Sequence, residues 1–473
     1  MSAVQRPSGA GPVSTADIIV GSASLSAVTS ALAPPAYGFP PRSHGDRSEV
    51  PTAVRRGRAL PKTAVPPFLA VSLFFFPSFE RTDHMTTALD RPGRRTSGRQ
   101  TSNRQQPQSV TVTGVLDTDA TGKGYLRGAG LVAGSSDPVV SSALVRRHGL
   151  RKGDLVEGVL GDRRALTDIA RVDGRTPGSL AGRPDFRDLT PVHPHRRLRL
   201  EHRASGLAGR VVDLLAPVGK GQRGLLVAPP KTGKTVLIQQ LAAAVAGNHP
   251  ECRLMVVLLD ERPEEVTDMR RSVHGEVYSS TFDRPAKQHI ALAELVVERA
   301  KRLAEAGEDV VILLDSLTRL CRAYNNAAGP GGRTLSGGVD AGALTGPKRF
   351  FGAARQTEEG GSLTILASAL VDTGSRADEF FFEELKGTGN MELRLHRESA
   401  SRRLFPAVDI TTSGTRREEL LFTPEELTAN QGLRRALTSR DSATDLETLL
   451  TRLRETPDNA TFLRQVRPTL PNT

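Results

Sequence analysis

Apolar runs alternate with amphipathic segments through the second half of the chain. The apolar runs are GLLVA (residues 224–228), LMVVLLD (254–260), DVVILLD (309–315) and SLTILASAL (362–370), and segments such as AELVVERAKRLAEAG separate them. Strands that are apolar throughout are buried on both faces, and helices between them provide parallel crossovers. The pattern therefore predicts an α/β domain over residues 205–473, with a mostly parallel sheet covered by helices on both faces.

A different pattern precedes this domain. From Val110 onward, short segments are β-branched or alternate between apolar and polar residues, as in VTVTGVL, GYLRG, PVVSS, LVEGV and ALTDIARV. Short strands that Gly and Asp interrupt at intervals of about ten residues predict a small β-barrel over residues 109–175. Residues 176–204, which are basic and punctuated by proline, are predicted to be a linker. His193, His195 and His202 within it lack metal-ligand spacing.

The first 108 residues are rich in Pro, Ser, Arg and Gly and have no apolar periodicity. Such a segment cannot offset its ordering entropy by burial, so it is predicted to be a disordered, basic extension. Its apolar run FLAVSLFFF is too short to span a bilayer and lies too deep in the chain for a signal peptide. Met85 offers an alternative start, which leaves open whether the preceding residues are made.

Charge and cysteine content add expectations about partners and setting. The formal net charge is +12 and the sequence pI is about 10.2. This balance favours nucleic acid as a polyanionic partner over a membrane surface. Much of the excess arginine lies between Arg42 and Arg104, so a basic tail on a neutral core explains the charge equally well. Cys252 and Cys321 have no CxxC spacing, which favours a reducing, cytoplasmic setting.

The segment APPKTGKT, residues 228–235, fits the relaxed form of the phosphate-binding P-loop, with Ala228 in place of the usual glycine. In this motif Gly233 lets backbone N–H groups approach the phosphates, and Lys234 reaches the β and γ oxygens. The Thr235 hydroxyl can ligate Mg²⁺. Because the motif stands between an apolar strand and a helix, it predicts an ATP site.

Acidic residues end two of the other predicted strands. Asp315 closes VVILLD, in the position where a carboxylate holds Mg²⁺ through water. Asp260 and Glu261 close LMVVLLDE and offer a carboxylate that can orient and deprotonate the attacking water. Since ligands bind at the carboxyl ends of parallel strands, these acids and the P-loop predict an ATP hydrolase.

A longer string of motifs resembles one protein family. LLVAPPKTGKT, LLDERPEEVTDMRR, GEVYSSTFD, ILLDSLTRLCRAYN, LSGGVDAGAL, PKRFFGAARQTEEGGSLTILASALVDTGS, ELKGTGNMEL and SGTRREELL together resemble the transcription termination factor Rho family of ring-forming, RNA-dependent ATPases. The match runs from about residue 189 nearly to the C-terminus, and a weaker match covers the barrel. The resemblance implies a RecA-like ATPase domain after an OB or cold-shock-like domain, and a homo-hexamer. It also implies ATP and Mg²⁺ as cofactors and 5′-to-3′ translocation on single-stranded RNA, releasing transcripts from the RNA polymerase elongation complex.

The resemblance also assigns roles at the ATP site. Glu261 would be the catalytic carboxylate and Asp315 the magnesium partner. Arg416 would be an arginine finger that reaches the γ-phosphate on a neighbouring subunit, and Arg403 would assist it. The implied nucleotide contacts are Gly219, Lys220, Gly221, Gln222, Arg223, Gly224, Lys231, Thr232, Gly233, Lys234, Thr235, Val236 and Arg262.

Two sets of RNA contacts follow from the same resemblance. The pore loops would contribute Thr334, Leu335, Ser336, Gly337, Gly338, Arg376 and Lys386. The barrel would contribute Gly122, Lys123, Gly124, Tyr125, Leu126, Arg127, Asp137, Pro138, Val139, Asp162, Arg163 and Arg164.

The barrel departs from the family pattern at its base-stacking positions. Lys123 stands where the family usually has phenylalanine, Val139 replaces a tyrosine, and Arg164 stands where another aromatic is expected. Each stacked base contributes about 1–3 kcal/mol, so losing these platforms weakens capture, whereas the added cations attract phosphates. RNA binding is therefore predicted to be steeply salt-dependent and less selective for pyrimidines than the family norm. Residues 91–104 are either an RNA-binding arm or have no specific role.

Two functions remain open at this point. The first is an RNA-dependent ATPase and helicase that terminates transcription. The second, suggested by the altered barrel, is a paralogue that acts as an RNA-binding ATPase regulator with weak or partner-dependent termination. A RecA-type strand-exchange protein or an F1-type motor shares the P-loop but lacks DERPEEV, LSGGVD and KGTGNMEL.

Overall fold

The computed structural model describes residues 110–329, 334–437 and 441–469. The predicted N-terminal extension, with Met85 and the basic residues 91–104, lies outside the described residues. In the described part the chain forms a five-stranded antiparallel sheet followed by a larger, mostly parallel sheet with helices. The predicted order of a small barrel before an α/β domain is confirmed.

The smaller sheet curls into a half-barrel with strand order β3-β2-β1-β4-β5. A bridge between Val139 and Ala165 connects its two ends. Its core is built from apolar residues that alternate along the strands, among them the fully buried Leu116, Val140 and Val156. The elements are β1 (Val110–Thr118), β2 (Gly124–Arg127), β3 (Val139–Val140), α1 (Ser142–Arg147), β4 (Leu155–Leu160) and β5 (Leu166–Val172).

The larger domain alternates strands and helices, as its apolar runs predict. Its strands are β6 (Pro191–Val192), β7 (Arg223–Ala228), β8 (Arg253–Glu261), β9 (Glu276–Thr281), β10 (Asp309–Asp315), β11 (Arg355–Thr357), β12 (Ser362–Leu370), β13 (Met391–Arg394) and β14 (Gly414–Thr415). Its helices are α2 (Gly206–Leu215), α3 (Lys234–Asn248), α4 (Pro263–Ser272), α5 (Ala286–Glu305), α6 (Leu317–Ala327), α7 (Thr345–Phe351), α8 (Arg376–Lys386), α9 (Arg397–Ser401), α10 (Pro424–Ala436), α11 (Ser442–Arg454) and α12 (Asn459–Val466).

The main sheet has the order β14-β13-β7-β12-β10-β8-β9, in which the pairs from β13 to β9 are parallel and β14 is antiparallel. Successive residues of its strands point to opposite faces, so each face has its own apolar cluster. One cluster includes Leu226, Val256, Leu313 and Leu366, and the other includes Leu225, Val257, Ile312 and Ile365. Helices cover both clusters, which explains why these strands are apolar throughout.

The segment predicted as a linker packs against the larger domain. β6 pairs with β11, which in turn pairs with β12 of the main sheet. Leu198 and Leu200 are fully buried in an apolar cluster of the larger domain. The Arg197 guanidinium lies 4.8 Å from the centre of the Phe422 ring. Leu198 and Leu200 are thus buried and Arg199 is exposed, whereas the Arg197 side chain is largely covered.

The barrel is attached to the C-terminal half of α5. Gly153 has a φ of 93°, and a Cβ at this position would lie 2.5 Å from the Glu298 carbonyl carbon. Arg299 forms an ion pair with Asp173 of the barrel. The Phe186 N–H donates to the Glu305 carboxylate at 2.7 Å. Only glycine permits this close approach between the barrel and the helix.

Among the helices in the described part of the chain, none is long and apolar enough to cross a membrane.

Candidate nucleotide and RNA sites

The P-loop connects the carboxyl end of β7 to the first turn of α3. Lys231 and Gly233 have positive φ angles of 67° and 89°, and α3 begins at Lys234. The Thr232 hydroxyl donates to the Pro229 carbonyl at 2.8 Å, which holds the loop closed on itself. Backbone N–H groups at the start of a helix attract anions, so this turn provides a phosphate cradle.

The Lys234 ammonium connects the two acidic strand ends. It forms an ion pair with Asp315 and lies 3.2 Å from Glu261 Oε1. The Ser368 hydroxyl donates to Asp315 Oδ1 at 2.8 Å, which orients that carboxylate. Burial disfavours the charge on Lys234, but Asp315 and Glu261 outweigh it and raise its pKa. The structure thus brings together the P-loop lysine and two of the three strand-end carboxylates that the sequence singled out, Glu261 and Asp315.

The two neighbouring acids at the end of β8 have different surroundings. Burial raises the pKa of Glu261, and the nearby Asp315 carboxylate adds to this effect although Lys234 opposes it. Asp260, at a φ of 57°, pairs instead with Arg319 at 2.7 Å. Of the two acids, Glu261 is therefore the one placed with the P-loop lysine. Arg262 follows as the residue before α4, with an exposed side chain.

A cavity of about 440 Å³ lies beside the P-loop and is lined by Phe405, which the sequence pattern did not single out. Phe405 is 43% exposed, and a Cβ on Gly233 would lie 3.4 Å from its ring. Val236 and Leu395 also line this cavity. Its apolar walls and its position next to the phosphate cradle suit a nucleobase. Arg403, which is exposed, precedes Phe405 by two residues.

The segment Gly219 to Gly224 lies at the opposite edge of the sheet from the P-loop of its own subunit. It leads into the amino end of β7, and six strand residues span about 20 Å. Lys220 is buried there and pairs with Glu251 at 2.8 Å and Asp309 at 2.9 Å. Within one subunit the structure therefore does not bring this segment to the phosphate cradle.

Arg416 is exposed at the same edge as that segment. Its N–H donates to the Asn390 carbonyl at 2.9 Å, and the Asn390 side chain accepts from the Arg223 N–H at 2.9 Å. Arg403 lies at the carboxyl edge beside the P-loop, so the two predicted arginines stand on opposite edges of one subunit. Arg416 therefore lies away from the phosphate cradle of its own subunit.

The two predicted pore loops contact each other at one end of α8. A Cβ on Gly337 would lie 2.9 Å from the backbone of Arg376 and Ala377. The Leu335 N–H donates to the Val339 carbonyl at 2.7 Å, and residues 330–333 lie outside the described part. Lys386 ends α8, about 15 Å along the helix from Arg376. It lines a cavity of about 590 Å³ together with Arg416.

The barrel positions that depart from the family pattern form one surface. Tyr125 is opposite Val139 in the β2–β3 pair, and Val139 bridges to Ala165, next to Arg164. The Lys123 ammonium lies 5.3 Å from the centre of the Tyr125 ring. Asp162, Arg163 and Arg164 are exposed, whereas the Leu126 side chain is buried in the barrel core and leaves only its backbone for a ligand.

Arg127, another predicted RNA contact, is held by two carboxylates beside the Tyr125 ring. Its guanidinium lies 5.2 Å from the centre of the Tyr125 ring and pairs with both Asp117 and Asp137 at 2.6 Å. Burial opposes its charge, but the hydrogen bonds to these carboxylates dominate and raise its pKa. Two carboxylates neutralise Arg127, whereas Lys123, beside Tyr125, and Arg164 form no ion pair with a carboxylate in the described part of the chain.

Comparisons with known proteins match both the barrel and the larger domain. The family model described as the Rho termination factor RNA-binding domain matches residues 112–178, and that of the ATP synthase alpha/beta family nucleotide-binding domain matches residues 208–415. The transcription termination factor Rho of Streptomyces coelicolor is 72% identical over 419 residues, which cover 89% of this chain and 98% of that protein. The chain belongs to the Rho family of transcription termination factors.

Other members of the Rho family match with lower identity. The protein of Streptosporangium roseum is 60% identical over 361 residues, which cover 76% of this chain and 93% of that protein. The protein of Mycobacterium tuberculosis is 52% identical over 372 residues, which cover 76% of this chain and 62% of that protein. Membership of the Rho family confirms an RNA-binding domain joined to a nucleotide-binding ATPase domain.

Proposed function

We propose that this chain is an ATP-dependent RNA translocase and helicase that assembles as a homo-hexamer and releases transcripts from the RNA polymerase elongation complex. The observation that carries the proposal is that the residues proposed for ATP hydrolysis lie at two different edges of one subunit. Lys234, Glu261 and Asp315 meet at the carboxyl edge, whereas Arg416 is exposed at the amino edge. Under this proposal a subunit needs a neighbour to complete its site.

The residues at the carboxyl edge suit ATP hydrolysis. The P-loop amides and Lys234 bind the phosphates, while Glu261 orients the attacking water and accepts its proton. The Thr235 hydroxyl and the Asp315 carboxylate are oxygen ligands of the kind Mg²⁺ prefers, and the bound ion would neutralise phosphate charge. Arg416 of a neighbouring subunit then stabilises the transition state, with Arg403 in position to assist from the same side as the P-loop.

The contact between the pore loops supports coupling of hydrolysis to RNA movement. Gly337 rests on the first residues of α8, and α8 follows β12, which pairs with both β7 and β10. The strands that carry the P-loop and Asp315 are therefore neighbours of the strand that leads to Arg376. A change at the nucleotide can displace both loops together, so that their amides, hydroxyls and cation move a phosphate backbone without reading its sequence.

Single-turnover hydrolysis in mixed rings tests the shared site. Lys234→Ala rings and Arg416→Ala rings are each expected to be inactive. A ring that contains both variants includes interfaces with an intact P-loop and an intact arginine, so part of the hydrolysis should return. Arg417→Ala, which changes an adjacent exposed arginine, is the control and should retain activity. If mixed rings form but stay inactive, or if Arg416→Ala alone hydrolyses ATP normally, the proposal is wrong.

The altered barrel favours a second candidate function, an RNA-stimulated ATPase regulator with weak or partner-dependent termination. A stalled elongation complex separates the two. Addition of the purified chain with ATP and Mg²⁺ should release the transcript if it is a terminator. RNA-stimulated hydrolysis without release would favour the regulator. The cytoplasm is the proposed location for either function.

A further inference from the structure

A compact group of three different metal-binding side chains lies at the C-terminal end of α3, away from the P-loop. His249, Glu251 and Cys252 each offer one ligand atom, and these atoms all lie within 4.8 Å of one another. They occupy one tight turn in which the Cys252 N–H donates to the His249 carbonyl at 2.9 Å. Pro250, at the second position of this turn, favours that conformation. The turn thus holds all three side chains on one side.

The hydrogen bonds of His249 identify which of its nitrogens faces the group. Nε2 lies 3.1 Å from the Arg199 carbonyl oxygen, which can only accept, so Nε2 carries a hydrogen. In neutral His249 the lone pair of Nδ1 then faces Glu251 Oε1 at 3.3 Å. Two lone pairs at this distance repel unless a proton or a metal ion stands between them. A backbone carbonyl bonded to the outer nitrogen is the usual support for a metal-ligating histidine.

The surroundings leave room for a bound ion and one more ligand. The three residues line a surface cavity of about 630 Å³, which His274 also lines. Glu251 Oε1 lies 3.9 Å from Cys252 Sγ and 2.8 Å from the Lys220 ammonium. Lys220 keeps a second carboxylate partner, Asp309, at 2.9 Å. Glu251 can therefore turn toward an ion without leaving the buried lysine unpaired.

We propose that His249 Nδ1, the Glu251 carboxylate and Cys252 Sγ form a site for a late first-row divalent metal ion such as Zn²⁺. Imidazole, carboxylate and thiolate together are the donor set that such ions prefer, and hard ions such as Mg²⁺ favour oxygen ligands alone. Binding replaces the thiol hydrogen: Cys252–SH and M²⁺ give Cys252–S–M⁺ and one released proton. Three protein ligands leave a fourth position that faces the cavity, where water can bind.

Co²⁺ is the probe of choice for this site, because a cobalt–thiolate bond gives a charge-transfer absorption band that other donors do not. The chain has only two cysteines, and Cys321 is fully buried on α6. The metal-depleted full chain should show a thiolate band that saturates at one Co²⁺ per chain and that Zn²⁺ abolishes. Cys252→Ser should lose the band, and the matched control Cys321→Ser should keep it.

A histidine variant and alkylation of Cys252 in the unaltered chain test the site further. His249→Ala should weaken Co²⁺ binding by at least about tenfold, since even outer-shell changes cost about 10–100-fold. In the unaltered chain Zn²⁺ should protect Cys252 from alkylation, measured by mass spectrometry, so the result does not depend on a variant that fails to fold. If no saturable band and no protection appear, His249 and Glu251 form an imidazolium–carboxylate pair only, and the proposal is overturned. A band that survives Cys252→Ser also overturns it.

Discussion

The ATP site and the RNA surface of the barrel are built on different principles. At the carboxyl edge of the main sheet, Lys234 contacts both Glu261 and Asp315, and Ser368 holds Asp315. On the barrel, Tyr125 is flanked by Lys123 and faces Val139, and the neighbours that would extend an aromatic platform are cations or aliphatic. The ATP site is a network of mutual ion pairs and hydrogen bonds. On the barrel Arg127 is held in this way, by Asp117 and Asp137, whereas Lys123 and Arg164 form no ion pair with a carboxylate of the described residues.

The two sites are expected to respond differently to single substitutions. Groups that act as a unit lose most of their effect when one of them is removed. Stacking platforms on an exposed sheet contribute about 1–3 kcal/mol per base each, and the loss of one leaves the others in place. The barrel surface can therefore change residue by residue while its core remains packed.

The largest effect is expected at the shared part of the ATP site. Arg416→Ala should keep nucleotide binding but lower the turnover rate by about 10³–10⁵-fold, the usual contribution of an arginine finger. ATP binding by fluorescence and steady-state hydrolysis with saturating RNA measure the two effects separately. Arg417→Ala should change neither. A drop in turnover below about tenfold would mean that Arg416 does not act in the transition state.

Glu261→Gln is expected to reduce the turnover rate by about 10²–10⁴-fold, because the amide cannot accept the proton of the attacking water. Asp260→Asn is the matched control, since Asp260 pairs with Arg319 and not with the P-loop lysine. It should retain more activity than Glu261→Gln. Equal losses in both variants would contradict the assignment of the base to Glu261 alone.

The acid side of the pH profile tests the same carboxylate. Burial raises the pKa of Glu261 above its ordinary value of 4.5. The base works only when ionised, so activity should fall as the pH decreases through this raised pKa, with a midpoint above pH 4.5. Hydrolysis with saturating RNA at a series of pH values measures the midpoint. A profile that stays flat to pH 4.5 would show that Glu261 is not the titrating group.

The sequence predicted the sheet and the P-loop better than the placement of the arginines. Apolar runs identified β7, β8, β10 and β12, because burial on both faces removes the polar positions of a strand. The acids that follow two of these strands were then found from local spacing. Such local signals place a residue at the end of its own strand, which is why Lys234, Glu261 and Asp315 could be grouped before the fold was known.

Residues whose position depends on distant strands could not be placed in this way. Arg416 reaches the amino edge because β13 pairs with β7, and Phe405 meets Gly233 through packing between distant segments. The segment from Gly219 to Gly224 stands near the P-loop in sequence, yet β7 carries it to the other edge. Leu198 and Leu200 were likewise hidden in a basic stretch, although they are fully buried.

Added aromatic side chains on the barrel should increase its affinity for RNA. The expected factor is smaller than the losses of turnover expected at the ATP site. Lys123→Phe and Val139→Tyr each add a ring beside Tyr125, and each should tighten binding of oligocytidine by about 1–3 kcal/mol, or about 5–150-fold. Fluorescence anisotropy with oligocytidine and oligoadenosine measures affinity and base preference. Tyr125→Ala should produce a loss of similar size. If neither added ring increases affinity, stacking on this surface does not capture RNA.

The smallest expected effect concerns the salt dependence of RNA binding. In the described part of the chain no carboxylate forms an ion pair with Lys123 or Arg164, unlike Arg127, which two carboxylates neutralise. A cation that contacts a single-stranded backbone contributes about 0.7 to the slope of log affinity against log salt. Lys123→Gln and Arg164→Gln should each reduce the slope by about this amount. Arg452→Gln, an exposed position on α11 already paired with Glu455, should leave it unchanged. Because Lys123 also lies near the Tyr125 ring, an unchanged slope in Lys123→Gln would mean that this lysine supports stacking and does not attract phosphate.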